Sequence, residues 1–477
     1  MKNYDLVIIG AGSAGLSVAS GAAQLGLNVA LAEKAEMGGD CLNVGCVPSK
    51  ALLSAAKAVH HSKTGMAKFG LASAPVPQID YAQVMAHVQD SITAIAPHDS
   101  QERFEGLGVD VYREPGVIES ANSVRLGDQV VGAKIIVIAT GSRPFVPPIP
   151  GLDSVDYLTN ETLFSNRQKP EHLIVVGGGP IGVEMAQAHV RLGCKVTLVE
   201  MASLMPHDDP EAVEVVRQTL IHEGIDVREG TALMSVASGE GGTGVRATLA
   251  IDGTEEMIEG SHLLMAAGRK ANVEGLNLEA VGVETHRGGI QVDKQLRTNV
   301  KNIYAIGDVA GGPQFTHWAG MHASSFVRNV LFRMPVDVNK SWVPWVTYAD
   351  PELAQFGLTE AAAKKSGEWV ATHKVELAAL DRNVTEADKV GFAKIILGAK
   401  NKLLGVTMVG HNAGELITPW LVAQAGDVPL SKIAGMVVPY PTRGEVTKRL
   451  ASLAFVDRLF SDRTRRIVRT LFRLPRF

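Results

Sequence analysis

The chain has 477 residues, of which 46% are hydrophobic and 20% charged, and its formal net charge is −4. This length predicts three domains. The nearly balanced charge does not indicate a nucleic-acid-binding protein. Three cysteines are too few for the disulfide framework of a secreted protein, so we expect a cytoplasmic protein without a signal peptide.

The first predicted elements are a strand, a glycine-rich turn and a helix. The apolar run Leu6–Ile9 leads into three glycines at motif spacing: Gly10, Gly12 and Gly15. A second predicted strand ends at Glu33. A helix N-terminus offers free N–H groups and the positive end of a dipole to a pyrophosphate, and the terminal acid can bind an adenosine ribose. The segment therefore predicts a dinucleotide-binding unit.

Two cysteines form a close pair shortly after this unit. Cys41 and Cys46 are separated by four residues at a predicted helix start. A disulfide across so short a loop is strained and easily reduced, and a helix N-terminus lowers a thiol pKa. The alternative is a static staple, which would add little stability in a cytosolic protein. We therefore predict a redox-active disulfide.

The strand–turn–helix pattern then occurs a second time. Its glycines are Gly177, Gly179 and Gly182, and its second strand ends at Glu200. The first glycine precedes the acid by 23 residues in both copies (33 − 10 and 200 − 177). Two copies predict two dinucleotide-binding domains. A carboxylate at position 200 would repel a 2′-phosphate, and residues 201–207 contain no Arg or Lys, so we expect NADH to be preferred over NADPH.

The end of the chain has a different composition. Residues 458–477 contain seven Arg and one Asp, and apolar residues recur there at roughly helical spacing. The segment predicts a basic amphipathic helix. Its charged face is either simply solvated or docks on anionic lipid or a membrane protein, which would place the protein peripherally at the inner face of the membrane.

The stretch Gly38–Lys50 resembles the active-site signature of the class I pyridine nucleotide–disulfide oxidoreductases, which include glutathione reductase, dihydrolipoamide dehydrogenase and mercuric reductase. Other family landmarks are similar to four further segments: Ala139–Ser142, Ala267–Arg269, Tyr304–Asp308 and Asp350–Glu352. Because these segments are spread along the sequence, the resemblance extends over nearly the whole chain. The resemblance implies an α/β fold with two doubly wound, Rossmann-like dinucleotide-binding domains and an α+β dimerisation domain.

The resemblance also implies domain boundaries and a homodimer. The FAD-binding domain would comprise residues 1–150 and 272–342, the NAD-binding domain 151–271 and the dimerisation domain 343–457, followed by the tail 458–477. Residues implied for FAD are Gly10, Gly12, Gly15, Glu33, Lys50, Thr140, Gly141 and Asp308. Residues implied for NAD are Gly177, Gly179, Gly182, Glu200 and Gly268. No resident metal site is expected.

The resemblance implies an order of electron transfer from NADH through FAD to the disulfide. Cys46 would be the sulfur nearer the flavin, and Cys41 the thiol that exchanges with the acceptor. Lys50 would lie near flavin N5 and stabilise negative charge on the reduced ring. Glu184 would pair with Lys50 and orient the nicotinamide.

One departure from the family bears on the acceptor. Where glutathione reductase and dihydrolipoamide dehydrogenase carry a His-Pro-Thr-x-x-Glu stretch, this chain has Tyr440 in place of the histidine and keeps Glu445. A free tyrosine titrates near pH 10 and is a poor base at neutral pH. Tyrosine here resembles mercuric reductases, although their C-terminal Cys pair and N-terminal metal-binding domain are not found in this sequence.

The sequence thus predicts an NAD(P)H-dependent flavoprotein that reduces a small-molecule disulfide or a metal ion and is similar to mercuric reductases. The alternative is dihydrolipoamide dehydrogenase, which oxidises a dithiol and reduces NAD. A non-enzymatic flavoprotein or redox sensor is the third hypothesis, and the two nucleotide motifs with the cysteine pair count against it.

Overall fold

The computed structural model describes residues 1–65, 67–71, 78–340 and 342–474. Contacts divide the chain into two compact units. Unit 1 comprises Met1–His60, Val76–Ser203 and Arg228–Val343, and unit 2 comprises His61–Pro75, Leu204–Val227 and Pro344–Phe477.

The α-helices are, in chain order, α1 (Ser13–Gln24), α2 (Gly39–Asn43), α3 (Cys46–Thr64), α4 (Tyr81–Ile95), α5 (Gln101–Gly106), α6 (Asn160–Leu163), α7 (Pro180–Arg191), α8 (Pro210–His222), α9 (Thr316–Phe326), α10 (Glu360–Ser366), α11 (Asp381–Thr385), α12 (Ala413–Leu416), α13 (Thr418–Ala425), α14 (Leu430–Gly435), α15 (Glu445–Leu459) and α16 (Asp462–Arg473).

The strands are β1 (Asn3–Ile9), β2 (Val29–Ala32), β3 (Val109–Tyr112), β4 (Gly116–Ser120), β5 (Ser123–Leu126), β6 (Gln129–Ile138), β7 (Ser142–Pro144), β8 (His172–Val176), β9 (Lys195–Val199), β10 (Asp226–Arg228), β11 (Thr231–Ser238), β12 (Val245–Ile251), β13 (Thr254–Gly260), β14 (His262–Met265), β15 (Arg269–Ala271), β16 (Thr285–His286), β17 (Gly289–Ile290), β18 (Ile303–Ala305), β19 (Pro344–Thr347), β20 (Glu352–Gly357), β21 (Ala371–Glu376), β22 (Phe392–Leu397) and β23 (Leu403–Gly410).

The larger sheet of unit 1 has the order β3-β2-β1-β6-β5-β4, and β18 also pairs with β6. Strands β3, β2, β1, β6 and β18 are parallel, and β5 and β4 are antiparallel additions. Along β1, Leu6 and Ile8 join one hydrophobic cluster, and Val7 and Ile9 join another. Both faces of the sheet are therefore covered, which explains the uninterrupted apolar run of this strand.

A second parallel sheet of unit 1 contains β9, β8 and β14 in that order. Its central strand is apolar after His172, and Leu173, Ile174 and Val175 are fully buried. An antiparallel sheet, β11-β12-β13, packs on it through the shared cluster around Leu249 and Leu263. The predicted pair of parallel, dinucleotide-type sheets is confirmed.

Unit 2 is built on the antiparallel sheet β19-β20-β23-β22-β21. Helices α8 and α12 contact β20 and β23, and α15 contacts β21 and β22. This is the predicted α+β arrangement.

The basic segment at the end of the chain forms helix α16, which begins after the N-cap Ser461. Residues 475–477 of the predicted tail lie outside the described residues. In the described part of the chain, no helix combines the length and the hydropathy that a membrane crossing requires.

A buried lysine in unit 2 joins helix α8 to the sheet. Lys394 on β22 is 4% exposed, and its Nζ lies 3.0 Å from Asp209 Oδ2 and 2.8 Å from Glu211 Oε2. Burial by itself would lower the pKa of Lys394, but the hydrogen bonds and charges of Glu211 and Asp209 outweigh it and hold that pKa above its usual value. Sequence periodicity did not predict this ion pair.

We expect Lys394→Met to destabilise the protein by about 3 kcal/mol, because it leaves Asp209 buried without its counter-charge. Urea unfolding of the protein measures the change. The matched control is Lys402→Met, since Lys402 is exposed beside Glu368 at 3.2 Å and its loss should cost less than about 1 kcal/mol. Equal losses in the two variants would contradict the importance of the buried pair.

Candidate active site

The first glycine turn leaves the start of α1 open to a ligand. A Cβ on Gly10, whose φ is +108°, would lie 2.3 Å from the carbonyl oxygen of Ala139, and one on Gly15 would lie 1.9 Å from the Gly10 oxygen. Glycine at both positions lets the helix begin directly against the sheet. A Cβ on Gly12 would meet nothing within 4 Å, and α1 has no side-chain cap there. The N–H groups of the first turn are thus available to an anion.

The carboxylate of Glu33 faces the same turn. It accepts hydrogen bonds from the backbone N–H of Ala11 at 2.7 Å and of Ala35 at 2.8 Å. Each of its oxygens keeps a lone pair for a further donor, such as a ribose hydroxyl.

The second glycine turn reproduces this geometry. A Cβ on Gly177 would lie 2.3 Å from the Ala266 oxygen, one on Gly182 would lie 1.8 Å from the Gly177 oxygen, and Gly179 again faces open space at an uncapped helix start. Glu200 accepts hydrogen bonds from the N–H groups of Gly178 at 2.6 Å and Ala202 at 2.8 Å. The repeat seen in the sequence is therefore a repeat of hydrogen-bonding geometry as well.

The predicted residues Thr140 and Gly141 are tied to Asn272. The hydroxyl of Thr140 donates to the Asn272 carbonyl at 2.7 Å, and the Asn272 side chain donates to the Thr140 carbonyl at 2.9 Å. Gly268 lies in the returning segment, where its carbonyl accepts from Phe145 N–H at 2.9 Å. These bonds lie at the two ends of the antiparallel pair formed by β7 and β15.

A chain of polar contacts joins the cysteine loop to Asp308. Strands β7 and β15 pair antiparallel, which brings Arg269 beside Ser142, and Arg269 Nε donates to Ser142 Oγ at 2.8 Å. Ser142 Oγ donates to Asp308 Oδ2 at 2.6 Å, and Arg269 Nη2 lies 3.0 Å from Asp40 Oδ1. Asn160 donates to the same Asp40 oxygen at 3.0 Å. Burial raises the pKa of Asp308 against the opposing effect of the Ser142 hydrogen bond.

The two cysteines of the predicted pair lie together as free thiols. Cys41 is in α2 and half-buried, and Cys46 is the exposed first residue of α3. The hydrogen bond from Cys41 lowers the pKa of Cys46 to about 6, with help from the Thr316 hydroxyl and the charge of Lys50, and against burial and the charge of Asp40. The same hydrogen bond, followed by burial, raises the pKa of Cys41. Near neutral pH the reduced pair is therefore a thiolate at Cys46 and a thiol at Cys41.

Lys50 and Glu184 are brought together as predicted. Lys50 Nζ, one turn after Cys46 on α3, lies 2.9 Å from Glu184 Oε2. Glu184 is 4% exposed and belongs to α7, the helix that begins at the second glycine turn. The ion pair links the cysteine helix to the helix of the second dinucleotide motif.

In unit 2, Tyr440 and Glu445 line an open cleft of about 690 Å³. The Tyr440 hydroxyl donates to Asp381 Oδ2 at 2.6 Å, and that hydrogen bond raises the tyrosine pKa. Glu445 Oε1 accepts from Arg449 Nε at 2.8 Å, and its buried Oε2 has no hydrogen-bond partner among the described residues. Tyr440 thus remains a protonated donor at neutral pH.

Four contacts of the site were missed by sequence reasoning: those of Asp40, Asn160, Thr316 and Asp381. Thr316 Oγ1 lies 3.2 Å from Cys46 Sγ, although 270 residues separate the two. A polar residue at the start of α9, soon after Asp308, was the available signal for Thr316, but it carried no motif spacing.

Two family models match the chain. Residues 4–323 match the family model described as pyridine nucleotide-disulphide oxidoreductase, and residues 343–451 match the dimerisation domain of that family. The chain belongs to the class I pyridine nucleotide–disulfide oxidoreductases. The dimerisation domain indicates a homodimer, and the family is FAD-dependent and uses a pyridine nucleotide.

Two relatives illustrate the breadth of the similarity. The chain is 34% identical over 456 residues to a mercuric reductase of Lysinibacillus sphaericus, covering 95% of this chain and 83% of the relative. It is 36% identical over 455 residues to a dihydrolipoyl dehydrogenase of Thermus scotoductus, covering 93% and 96%.

Among solved structures, the chain resembles the HOCl-induced flavoprotein disulfide reductase RclA from Escherichia coli. The TM-score is 0.84 at 27% sequence identity, over 94% of this chain and all of that chain. A Cu(II) complex of the same reductase gives a TM-score of 0.83.

The residues of unit 1 fit the FAD that the family requires. The uncapped start of α1 and the free space beside Gly12 suit a pyrophosphate, and Glu33 suits a ribose. The Asp308 carboxylate accepts a hydrogen bond from Ser142, and its two oxygens have lone pairs for a further bond from a hydroxyl-rich ligand.

We expect Asp40→Asn to lower the pKa of Cys46 further, because the substitution removes a negative charge that raises it and leaves the Arg269 charge uncompensated. The pH dependence of iodoacetamide alkylation, with the modified cysteine identified by mass spectrometry, measures the pKa in the reduced protein. Asp153→Asn removes an exposed carboxylate of the same unit and is the control. An unchanged or higher alkylation pKa in Asp40→Asn would refute this electrostatic role.

Proposed function

We propose that the protein transfers electrons from NADH through FAD and the Cys41–Cys46 pair to a metal ion or a small disulfide, in the manner of mercuric reductases. The observation that supports this most directly is the environment of Cys46, whose thiolate is stabilised by Cys41, Thr316 and Lys50. FAD, when bound, would accept a hydride from the nicotinamide and pass its two electrons to the disulfide. Under this proposal the residues predicted for FAD and NAD keep their assigned roles.

Two electrons would reduce the disulfide to a thiolate at Cys46 and a thiol at Cys41. The S–S bond breaks, one proton is taken up at Cys41, and Cys46 keeps the negative charge. Lys50 stabilises negative charge beside Cys46, and Glu184 fixes the position of Lys50 from the second dinucleotide unit. Cys41 is then the group that meets the acceptor.

The nature of the acceptor depends on the proton of Cys41. A disulfide acceptor is attacked by the Cys41 thiolate. Because the pKa of Cys41 is raised, a base must remove its proton before this attack. In the proposed homodimer, Tyr440 and Glu445 of one protomer complete the site of its partner, but a tyrosine hydroxyl donating to Asp381 is no such base. A thiophilic metal ion displaces the thiol proton as it binds, so this arrangement favours Hg(II) or Cu(II) as substrate.

Two comparisons are consistent with that preference and one favours an alternative. Mercuric reductases are among the relatives, and the similar reductase from E. coli has been solved with Cu(II). Dihydrolipoyl dehydrogenases are equally similar in sequence, and lipoamide therefore belongs among the candidate substrates. A reversible contact of residues 458–477 with a membrane, in an otherwise cytoplasmic protein, is the remaining part of the proposal.

The proposed reaction is tested by anaerobic reduction with NADH followed by a panel of oxidants: Hg(II), Cu(II), glutathione disulfide, lipoamide and quinones. Reoxidation should be fastest with a metal ion or small disulfide, and Cys46→Ser should abolish it while Cys194→Ser, at a buried cysteine outside the pair, should not. Undiminished turnover in Cys46→Ser would exclude the disulfide pathway. Lipoamide as the best substrate would identify the alternative enzyme.

Glu200 should make NADH a better substrate than NADPH. We expect Glu200→Ala to lower kcat/KM for NADH about ten-fold or more, because it removes a charged hydrogen-bond acceptor for the ribose. It should also reduce the discrimination against NADPH, since the repulsion of the 2′-phosphate is lost. Steady-state kinetics with both nucleotides measures these effects, and Glu171→Ala at an exposed position is the control. A wild-type preference for NADPH would contradict the assignment.

A further inference from the structure

Helix α16 is divided into a basic face and an apolar face. Arg466, Arg469 and Arg473 recur at spacings of three and four residues and so share one side. Three apolar residues lie on the opposite side and are exposed to 48%, 55% and 60% of their full surface: Ile467, Val468 and Leu471. The helix contains five Arg and one Asp.

The described structure buries no residue of this helix. A helix that packs on its own protein turns its apolar stripe toward the core. Here the N-cap Ser461 accepts from Thr464 N–H at 3.3 Å and defines the helix start, while the apolar stripe remains in solvent. Leu459 and Phe460, just before the cap, are also more than half exposed. The apolar surface therefore continues beyond the helix itself.

The position of α16 in the sequence argues against the family dimer interface as its partner. The match to the dimerisation domain ends at residue 451, within α15, and α16 begins eleven residues later (462 − 451). The exposed stripe thus belongs to a segment that the dimerisation domain does not include.

We propose that α16 lies in the surface of an anionic lipid bilayer, with its apolar face among the acyl chains and its Arg side chains at the phosphates. This surface satisfies both faces of the helix. A nucleic acid would pair with the Arg residues and leave Leu471 in water. An apolar protein groove would leave four of the five Arg residues without counter-charges, since only Arg465 lies near an acid of the helix, 3.6 Å from Asp462. The proposal rests on the membrane contact included in the proposed function, names the lipid and the helix face that make it, and does not depend on which acceptor the enzyme reduces.

The charge of the rest of the chain does not prevent this binding. The whole chain has a formal net charge of −4, but exposed charges more than about 10 Å apart are largely screened at physiological ionic strength. The cluster of Arg residues on α16 therefore determines the local attraction. A single amphipathic helix gives reversible binding rather than permanent anchoring.

Co-sedimentation of the full-length, FAD-loaded protein with vesicles tests the proposal. The protein should bind phosphatidylcholine vesicles that contain phosphatidylglycerol and should not bind pure phosphatidylcholine, and high salt should release it. A chain of residues 1–460 should lose the binding. Arg466→Ser and Arg469→Ser should each weaken binding to the anionic vesicles about five-fold.

Leu471→Asp and Met257→Asp form a matched pair, because both side chains are 60% exposed and only Leu471 lies on α16. Leu471→Asp should abolish vesicle binding, and Met257→Asp should leave it unchanged. Unaltered NADH oxidation without vesicles will show that each variant is folded.

Several results would overturn the proposal. Equal vesicle binding by the full-length and 1–460 proteins would place the membrane contact elsewhere or show that there is none. Retained binding in Leu471→Asp would mean that the apolar face is not inserted. A change of oligomeric state in Leu471→Asp without vesicles would assign the face to a second copy of the chain.

Discussion

The architecture of unit 1 depends on two glycine turns whose first and third glycines leave no room for a side chain. A Cβ on Gly10 would collide with Ala139, which follows β6, and one on Gly177 would collide with Ala266, which follows β14. Because β1 and β8 can turn so sharply, α1 and α7 start with uncapped N–H groups against the sheet. The cysteine loop depends on the first turn as well, since a Cβ on Gly39, two residues before Cys41, would lie 2.8 Å from Gly12 Cα.

The electrostatics of the cysteine pair is a balance of opposed contributions. Cys41, Thr316 and Lys50 favour the Cys46 thiolate, while Asp40 and burial oppose it. Asp40 is itself held by Arg269, which also bonds Ser142 beside Asp308. The acidity of the thiol consequently depends on the segments around Ser142 and Asp308 as well as on the cysteine loop.

Sequence reasoning succeeded where the determining contacts are local or repeated. The strands, the glycine turns and the terminal acids Glu33 and Glu200 follow from spacing, and the family resemblance supplied the Lys50–Glu184 pair. The contacts of Cys46 with Thr316 and of Lys394 with Asp209 join residues 270 and 185 positions apart. Only tertiary packing brings such residues together, so no pattern within one segment could have predicted them.

The similar geometry of the two carboxylates limits how the protein can discriminate between FAD and NAD. Glu33 and Glu200 are each bound by two backbone N–H groups, at distances that differ by no more than about 0.1 Å. The adenosine diphosphate portion is common to FAD and NAD, so a pocket that recognises only this portion would admit either molecule. If Glu33 binds FAD and Glu200 binds NAD, as proposed, discrimination must arise at the opposite end of each ligand, for which the proposal names Lys50 and Glu184.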